Sequence, residues 1–358
     1  QGGSAQPAAK QGVLPTPDYT GDIWNRSTLT GDWGGTRQEL ARKGFTVDWY
    51  LVQVGQTVFS GGRDTGWEYG GRTNATFNLD TGKMGLWPGG LLTVQTEGQF
   101  GKTVNPKTGA IMPVNSNGVF PEPGDTEWTI PSVMYMQFLS PQIGVFLGKL
   151  DTTSGDSNAF ADGKGNEQFM NLAFIANPAL LLSTPYSTLG GGLMFVPTHD
   201  FHITFSIFDP NGRADTTGFD EPFADGPAYA LEGRLTTHFF GLTGHQLIGG
   251  IYSTKDYVNL DQPLSNLIIP LLPVEQTDNT WALYYNFDQY LYQPEKNVDR
   301  GIGVFGRFGT SDGDANSVHY FASVGLGGKG MIPGRQHDQF GIGDYYLWNT
   351  TPQRSSDL

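Results

Sequence analysis

The feature that most restricts the fold is a pattern repeated from residue 45 onward, in which polar and apolar side chains alternate run after run. The stretch EYGGRTNATFNLD (68–80) shows it cleanly. Glu68, Arg72, Asn74, Thr76, Asn78 and Asp80 share one face, while Tyr69, Thr73, Ala75, Phe77 and Leu79 share the other. Successive side chains of a β-strand point to opposite faces, so this is a strand with one polar and one mostly apolar side. A soluble sandwich turns the polar side to solvent. A membrane barrel turns it inward, onto a water-filled lumen.

Runs of the same kind occupy 45–59, 67–80, 91–102, 128–139, 143–151, 186–196, 201–209, 228–240, 245–257, 280–292, 301–309, 317–327 and 339–348. They predict about thirteen strands of roughly 9–15 residues, longer than the usual five or six and long enough for a tilted membrane crossing. The connections carry a second signal. Those at 140–142, 197–200 and 241–244 are short, those at 103–127, 152–185, 210–227 and 258–279 are long, and the two kinds alternate strictly. A sandwich has no reason to alternate them, whereas an outer-membrane barrel has short periplasmic turns and long outer loops. With the N-terminus in the periplasm, every long link lands outside. Aromatics gather near strand ends (Trp67, Tyr69, Trp87, Phe239, Phe240, Tyr290, Tyr292 and Trp348), as interfacial girdles do. An even strand number places both termini in the periplasm. The visible strands and the non-strand ending TPQRSSDL therefore lead us to expect one or three C-terminal closing strands missing from the chain.

Composition removes the competing classes. Charged residues are 16%, against about 25% in a typical soluble domain. The 51 glycines in 358 residues suit crowded or curved strand positions. A net charge of −14 without a basic stripe excludes nucleic acid as a partner. No apolar run is long enough for a transmembrane helix, which leaves the closed barrel as the spanning structure. The absence of cysteine excludes a disulfide framework and a thiolate metal site. The chain opens at Gln1 without a charged and apolar leader, as a processed protein would. Residues 1–44 are read as an N-terminal periplasmic segment, loosely ordered apart from one short helix in TRQELARKG. There Thr36 is the expected cap, Leu40 the main apolar contact and Gly44 the left-handed C-terminal residue. Residues 45–358 are read as the transmembrane barrel.

Several motifs carry no chemistry. GIGVFG (301–306) fits a dinucleotide fingerprint in letters, yet opens no helix, and GLGGKG lacks the hydroxyl residue of a phosphate loop. The six histidines show no paired metal spacing, and no calcium-loop pattern appears among the acids. Glu97 and Glu232 are conceivable as a hydrolase pair, but nothing in the sequence brings them together. The reading is a non-enzyme with no cofactor and no metal.

Longer motifs point to a family. LTGDWGGTRQELARKGF, NLDTGKMGLWPGG, FLGKLDT, QFMNLAF, PYSTLGGGL and FDPNG resemble the carbohydrate-selective porins of the OprB family of Gram-negative outer membranes. So do EGRLTTHFFGLTGHQLIGGIYSTKDY, WALYYNFDQYLYQ, GVFGRFG, FASVGLGGKGMIPGR and HDQFGIG, so that the likeness runs from about residue 28 to about residue 343. The resemblance implies an all-β antiparallel transmembrane barrel of sixteen strands when complete, with passage of sugars, notably glucose, through an eyelet narrowed by inward-folded loops. The sequence departs from the pattern after Gly343, where DYYLWNTTPQRSSDL stands in place of further strands.

A neutral sugar needs hydrogen-bond partners on the lumen wall and a flat apolar surface for its C–H face. Strand faces nominate Arg72, Asn74, Glu97, Gln99, Lys149, Asp151, Glu232, Arg234, Asn286, Asp288 and Arg307 as pore-lining residues. Trp128, Phe160 and Tyr284 are the aromatic candidates, Phe160 because its link is long enough to fold inward. Each has a plainer alternative. A lumen arginine can brace the wall against a nearby acid, Lys149 and Asp151 can be rim charges, and Glu232 with Arg234 can form a structural pair. Acids in outer loops such as DEPFAD (220–225) leave the basic set to make the constriction positive. The expected function is passive, selective diffusion of glucose-like monosaccharides and small oligosaccharides across the outer membrane. The expected partners are neutral sugars and outer-membrane lipid and lipopolysaccharide, the protein standing as monomer or homotrimer. A general porin without a sugar site and a soluble carbohydrate-binding β-sandwich are the competing readings.

Overall fold

Alternation along the chain becomes one antiparallel sheet. The computed structural model describes residues 12–24, 26–121, 128–154, 158–295, 299–335 and 337–349. Its strands are β1 (Phe45–Val58), β2 (Gly66–Asp80), β3 (Gly90–Gly101), β4 (Trp128–Ser140), β5 (Ile143–Asp151), β6 (Ser187–Thr198), β7 (Phe201–Phe208), β8 (Ala228–Thr237) and β9 (Gly244–Ser253). Then follow β10 (Tyr257–Val258), β11 (Gln276–Thr277), β12 (Thr280–Tyr292), β13 (Gly301–Ser311), β14 (Val318–Lys329) and β15 (Gln339–Asn349). Thirteen of them form a single sheet in the order β1 to β9, then β12 to β15; β10 and β11 pair only with each other. The expected strands recur within a few residues of their bounds. Two end well short: the run carried to Phe240 stops at Thr237, before Phe240 takes a left-handed φ of 57° in a tight turn, and the run carried to Tyr257 stops at Ser253. The β10–β11 hairpin inside the link 254–279 has no alternation to announce it.

The register shows why the strands lie as they do. In β2–β3, Arg72 faces Gln99, Asn74 faces Glu97, Thr76 faces Gln95 and Asn78 faces Thr93, so polar side chains meet across one face. Such cross-strand pairs stabilise a sheet locally; the Thr93 hydroxyl donates to Asn78 Oδ1 at 2.8 Å. The opposite face is apolar and exposed. Trp67 stacks on Tyr69 with ring centroids 6.1 Å apart, and Tyr285, Phe287 and Phe308 stack side by side. In β12 the separation is nearly complete, with Ala282, Tyr284, Asn286, Asp288 and Tyr290 buried, and Trp281, Leu283 and Tyr285 exposed. Among the described residues no ladder joins β1 to β15, so each presents an open edge.

Among its described residues, the N-terminal segment is held to the sheet by specific contacts. Backbone amides of Val13 and Leu14 donate to the Asp80 carboxylate at 2.6 and 3.1 Å. Helix α1 (Thr36–Arg42) is capped by Gly35 rather than Thr36, with the Asp32 carboxylate accepting from the Gly35 amide. Its buried residues are Arg37 and Ala41, not Leu40. The Arg37 guanidinium reaches the Val47 carbonyl of β1 and lies 3.8 Å over the Tyr19 ring, which fixes the helix to the start of the sheet. Gly44 does adopt the left-handed conformation, at φ 94°.

The core lies inside the curved sheet. Two long links turn inward, and buried Met112 and Phe120 of one meet Leu172, Ala173 and Ala179 of the other and Phe321 of β14.

Candidate functional site

The link 152–186 leaves the wall at β5, crosses the lumen and returns at β6. It is built from short turns opened by asparagines. Asn158 Oδ1 accepts from the Phe160 and Ala161 amides at 3.0 and 3.1 Å, and Asn177 Oδ1 from Ala179 at 3.2 Å. The Nδ2 groups of the same residues donate to the far wall, Asn158 to the Phe287 carbonyl (3.1 Å) and Asn177 to Phe308 (2.9 Å). A single side chain thus both forms the turn and fastens it.

On that far side several of the link's rings lie directly on glycine backbone of the wall. A Cβ added at Gly327 would lie 2.7 Å from Phe160, one at Gly341 would lie 2.6 Å from the Phe169 ring, and one at Gly343 would lie 2.7 Å from the Phe174 ring. Glycine is required here by close approach of rings to backbone. Phe160 packs edge-on to Tyr290 at 4.7 Å, and Phe169 and Phe174 pack together and against Phe305. Arg307, wholly buried, donates to the carbonyls of Phe174 and Ala161. Asp288 accepts from the Ala159 amide at 3.1 Å and pairs with His245 Nδ1 at 2.8 Å.

The near side holds the link by charge. Lys164 Nζ stands between two buried carboxylates, 3.1 Å from Glu97 and in contact with Asp151. Glu97 also accepts from Asn74 Nδ2 at 2.7 Å and from the Tyr186 hydroxyl. Burial, with the Glu97 and Asp151 carboxylates beside it, pushes the Tyr186 hydroxyl well above its usual range, so it stays a donor. Arg72, 1% exposed, donates from Nη2 to Asn166 Oδ1 at 2.6 Å. The other inward link supports this arrangement: the Ser116 hydroxyl and Asn117 Nδ2 donate to the carbonyls of Lys164 and Gly165 at 2.9 and 3.1 Å.

Between the link and the wall from β3 to β9 and β12 lies a cavity of about 350 Å³. Its polar lining includes Thr93, Gln95, Asp151, Lys164, Glu232 and Asn286, and the Tyr284 hydroxyl donates to Glu232 at 2.7 Å. That volume falls in the range of small-ligand sites.

The nominated residues therefore separate into groups. Asp151, Glu232, Asn286 and Tyr284 line the cavity together. Arg234 lies on the same face of β8 as Glu232, half-buried. Arg72, Asn74, Glu97, Asp288 and Arg307 face inward but serve the link or its neighbours, and Gln99 donates to the Pro121 carbonyl at 3.0 Å. Of the basic set, Arg72 and Arg307 are enclosed beneath the link, and the charged side chains lining the cavity are Asp151, Lys164 and Glu232. Lys149 is corrected to the opposite face from the lumen residues Phe146 and Leu150, because it pairs in register with outward Val133; its ammonium donates to the Ala214 and Thr216 carbonyls. Trp128 is also corrected. It sits on the outer face over Gly98, 58% exposed, since Thr129 takes the inward position opposite Glu97. Phe160 folds inward as expected, but at 2% exposure its ring is a buried contact and offers no stacking face. Tyr290 likewise leaves the expected girdle, being 4% exposed beneath Phe160 and bonded to Asp299.

Strand faces gave no access to Lys164 and Asn166, which lie off the strands; Tyr186, read as the first residue of the run 186–196, stands one residue before β6. A signal was present in the link itself: SNAF, MNLAF and ANPAL each place an asparagine one residue or fewer before an apolar group.

Comparison with known proteins agrees with this architecture. A family model described as carbohydrate-selective porin, OprB family, matches residues 64–358. No curated protein matches the chain. Among solved structures, the high-pH structure of Pseudomonas putida OprB superposes with a TM-score of 0.76 at 21% identity, covering 90% of this chain and 79% of that one. The low-pH structure of the same protein gives 0.54 at 16% identity, covering 89% and 82%. These two likenesses describe the fold.

Proposed function

The chain belongs to the OprB family of carbohydrate-selective porins, proteins of the Gram-negative outer membrane, and from that premise we propose that neutral sugars pass through the space between the inward link and the β3–β9 wall. The observation that carries this reading is the cavity, where Asp151, Lys164, Glu232, Tyr284 and Asn286 present donors and acceptors to one shared space. Its size suits a glucose-like monosaccharide or a short oligosaccharide. Several weak polar contacts suit conduction, since a tight site would hold its solute. Passage is passive diffusion without a catalytic step.

The short turns face the periplasm and the long links face outward, with 1–44 as the periplasmic segment and 45–358 as the barrel. A bilayer tolerates no open sheet edge, so the edges of β1 and β15 are where the wall is to be completed. Each chain carries its own path, whether the chains stand singly or as homotrimers.

Planar-bilayer conductance with increasing glucose tests the reading. Millimolar glucose is expected to lower the ionic current in a saturable way, and Glu232→Gln to weaken that response. A current indifferent to glucose would leave a general porin.

A further inference from the structure

We propose that the cavity is built for glycosides that carry an apolar aglycone, taking the sugar on its polar wall and the aglycone against the inward link. The proposal rests on the reading of that cavity as the sugar path. Its lining is mixed on both sides: the wall contributes Glu232, Tyr284 and Asn286 beside apolar Phe146 and Phe208, and the link contributes Lys164, Asn177 and Thr184 beside an aliphatic group, Leu172, Ile175, Leu180 and Leu181. The subsite proposed for the aglycone is that aliphatic group. A bare pyranose uses the flat face of an aromatic ring to cover its C–H surface, and branched side chains offer no such plane. Nor do they offer partners for hydroxyls, so a sugar turned toward them leaves polar groups unpaired. An alkyl or aryl substituent at that place instead gains by leaving water.

The apolar side continues into the wall. Leu180 packs on the buried cluster of Phe208, Ala228, Leu247, Ile251 and Tyr284, so the Tyr284 ring borders the apolar region while its hydroxyl holds Glu232. Polar and apolar subsites therefore adjoin at one residue. Leu181 is 45% exposed, a large aliphatic side chain left uncovered on the cavity lining.

The test is the half-blocking concentration of methyl, propyl and hexyl β-D-glucoside in planar bilayers, with glucose as reference and 1-hexanol as a control for partition into the lipid. A buried methylene is worth roughly fourfold in affinity. Propyl glucoside should therefore block at a concentration roughly tenfold or more below methyl glucoside, with a further gain for hexyl. In Leu181→Asn the hexyl-to-methyl ratio should shrink severalfold, a comparison made within one variant and so independent of its conductance. Equal blocking by methyl and hexyl glucoside, with glucose still effective, overturns the aglycone subsite and leaves the sugar path standing. A block by hexanol equal to that by hexyl glucoside overturns it as well. Failure of glucose and all three glucosides overturns the sugar path itself.

Discussion

Two sides of the lumen hold the same link by different physics. On the β12–β15 side, rings of Phe160, Phe169 and Phe174 lie on glycine backbone, and asparagine and arginine side chains donate to main-chain carbonyls. On the β2–β5 side, Lys164 sits between Glu97 and Asp151, and Arg72 meets Asn166. The first contact depends on shape and tolerates no added volume. The second depends on charge balance and tolerates no missing partner. The cavity lies beside the charged contact and shares Asp151 and Lys164 with it, so the side that anchors the link by charge also borders the proposed path.

Substitutions that strike one side at a time sharpen this contrast. Lys164→Met should have the largest effect, about 3–5 kcal/mol, because it leaves two buried carboxylates without their cation. The link should become protease-sensitive in detergent and the conductance should rise; adding Glu97→Gln should recover part of the loss. A link as resistant as wild type would show that the glycine side alone holds it. Gly343→Val should follow, at about 1–3 kcal/mol from overpacking against Phe174. Combining it with Phe174→Ala should restore protease resistance relative to the single change, and no recovery would deny the ring-on-backbone contact. Asn166→Ala removes the acceptor for Arg72 and should cost about 1 kcal/mol, read as a small drop in unfolding temperature without gross opening. Trp128→Phe touches neither side and should stay within about 0.5 kcal/mol, with conductance unaltered. A changed current in that variant would return Trp128 to the pore.

Much of the wall was legible in advance. The run EYGGRTNATFNLD became β2 with Arg72 and Asn74 inward and Trp67 and Tyr69 outward, because the period of a strand is set by its own backbone. Reading failed where the period is locally broken. Around β4 and β5 the register shifts between Gln95 and Glu97, and Gly148 takes a positive φ, so face assignments at Trp128 and Lys149 slipped. It failed again at Phe160 and Arg307. Both face inward as expected, yet their exposure is decided by what lies over them.

By itself, then, the sequence determined the strands, their two faces and the alternation of short and long connections, since each depends on neighbours a few residues apart. Tertiary structure decided which inward side chains remain open to a solute. Lys164 meets Glu97 across 67 residues, and Arg307 meets Ala161 across 146. Contacts at that separation form only once the sheet has curved and brought opposite walls within reach of one link, so no local pattern can mark which polar residues it covers.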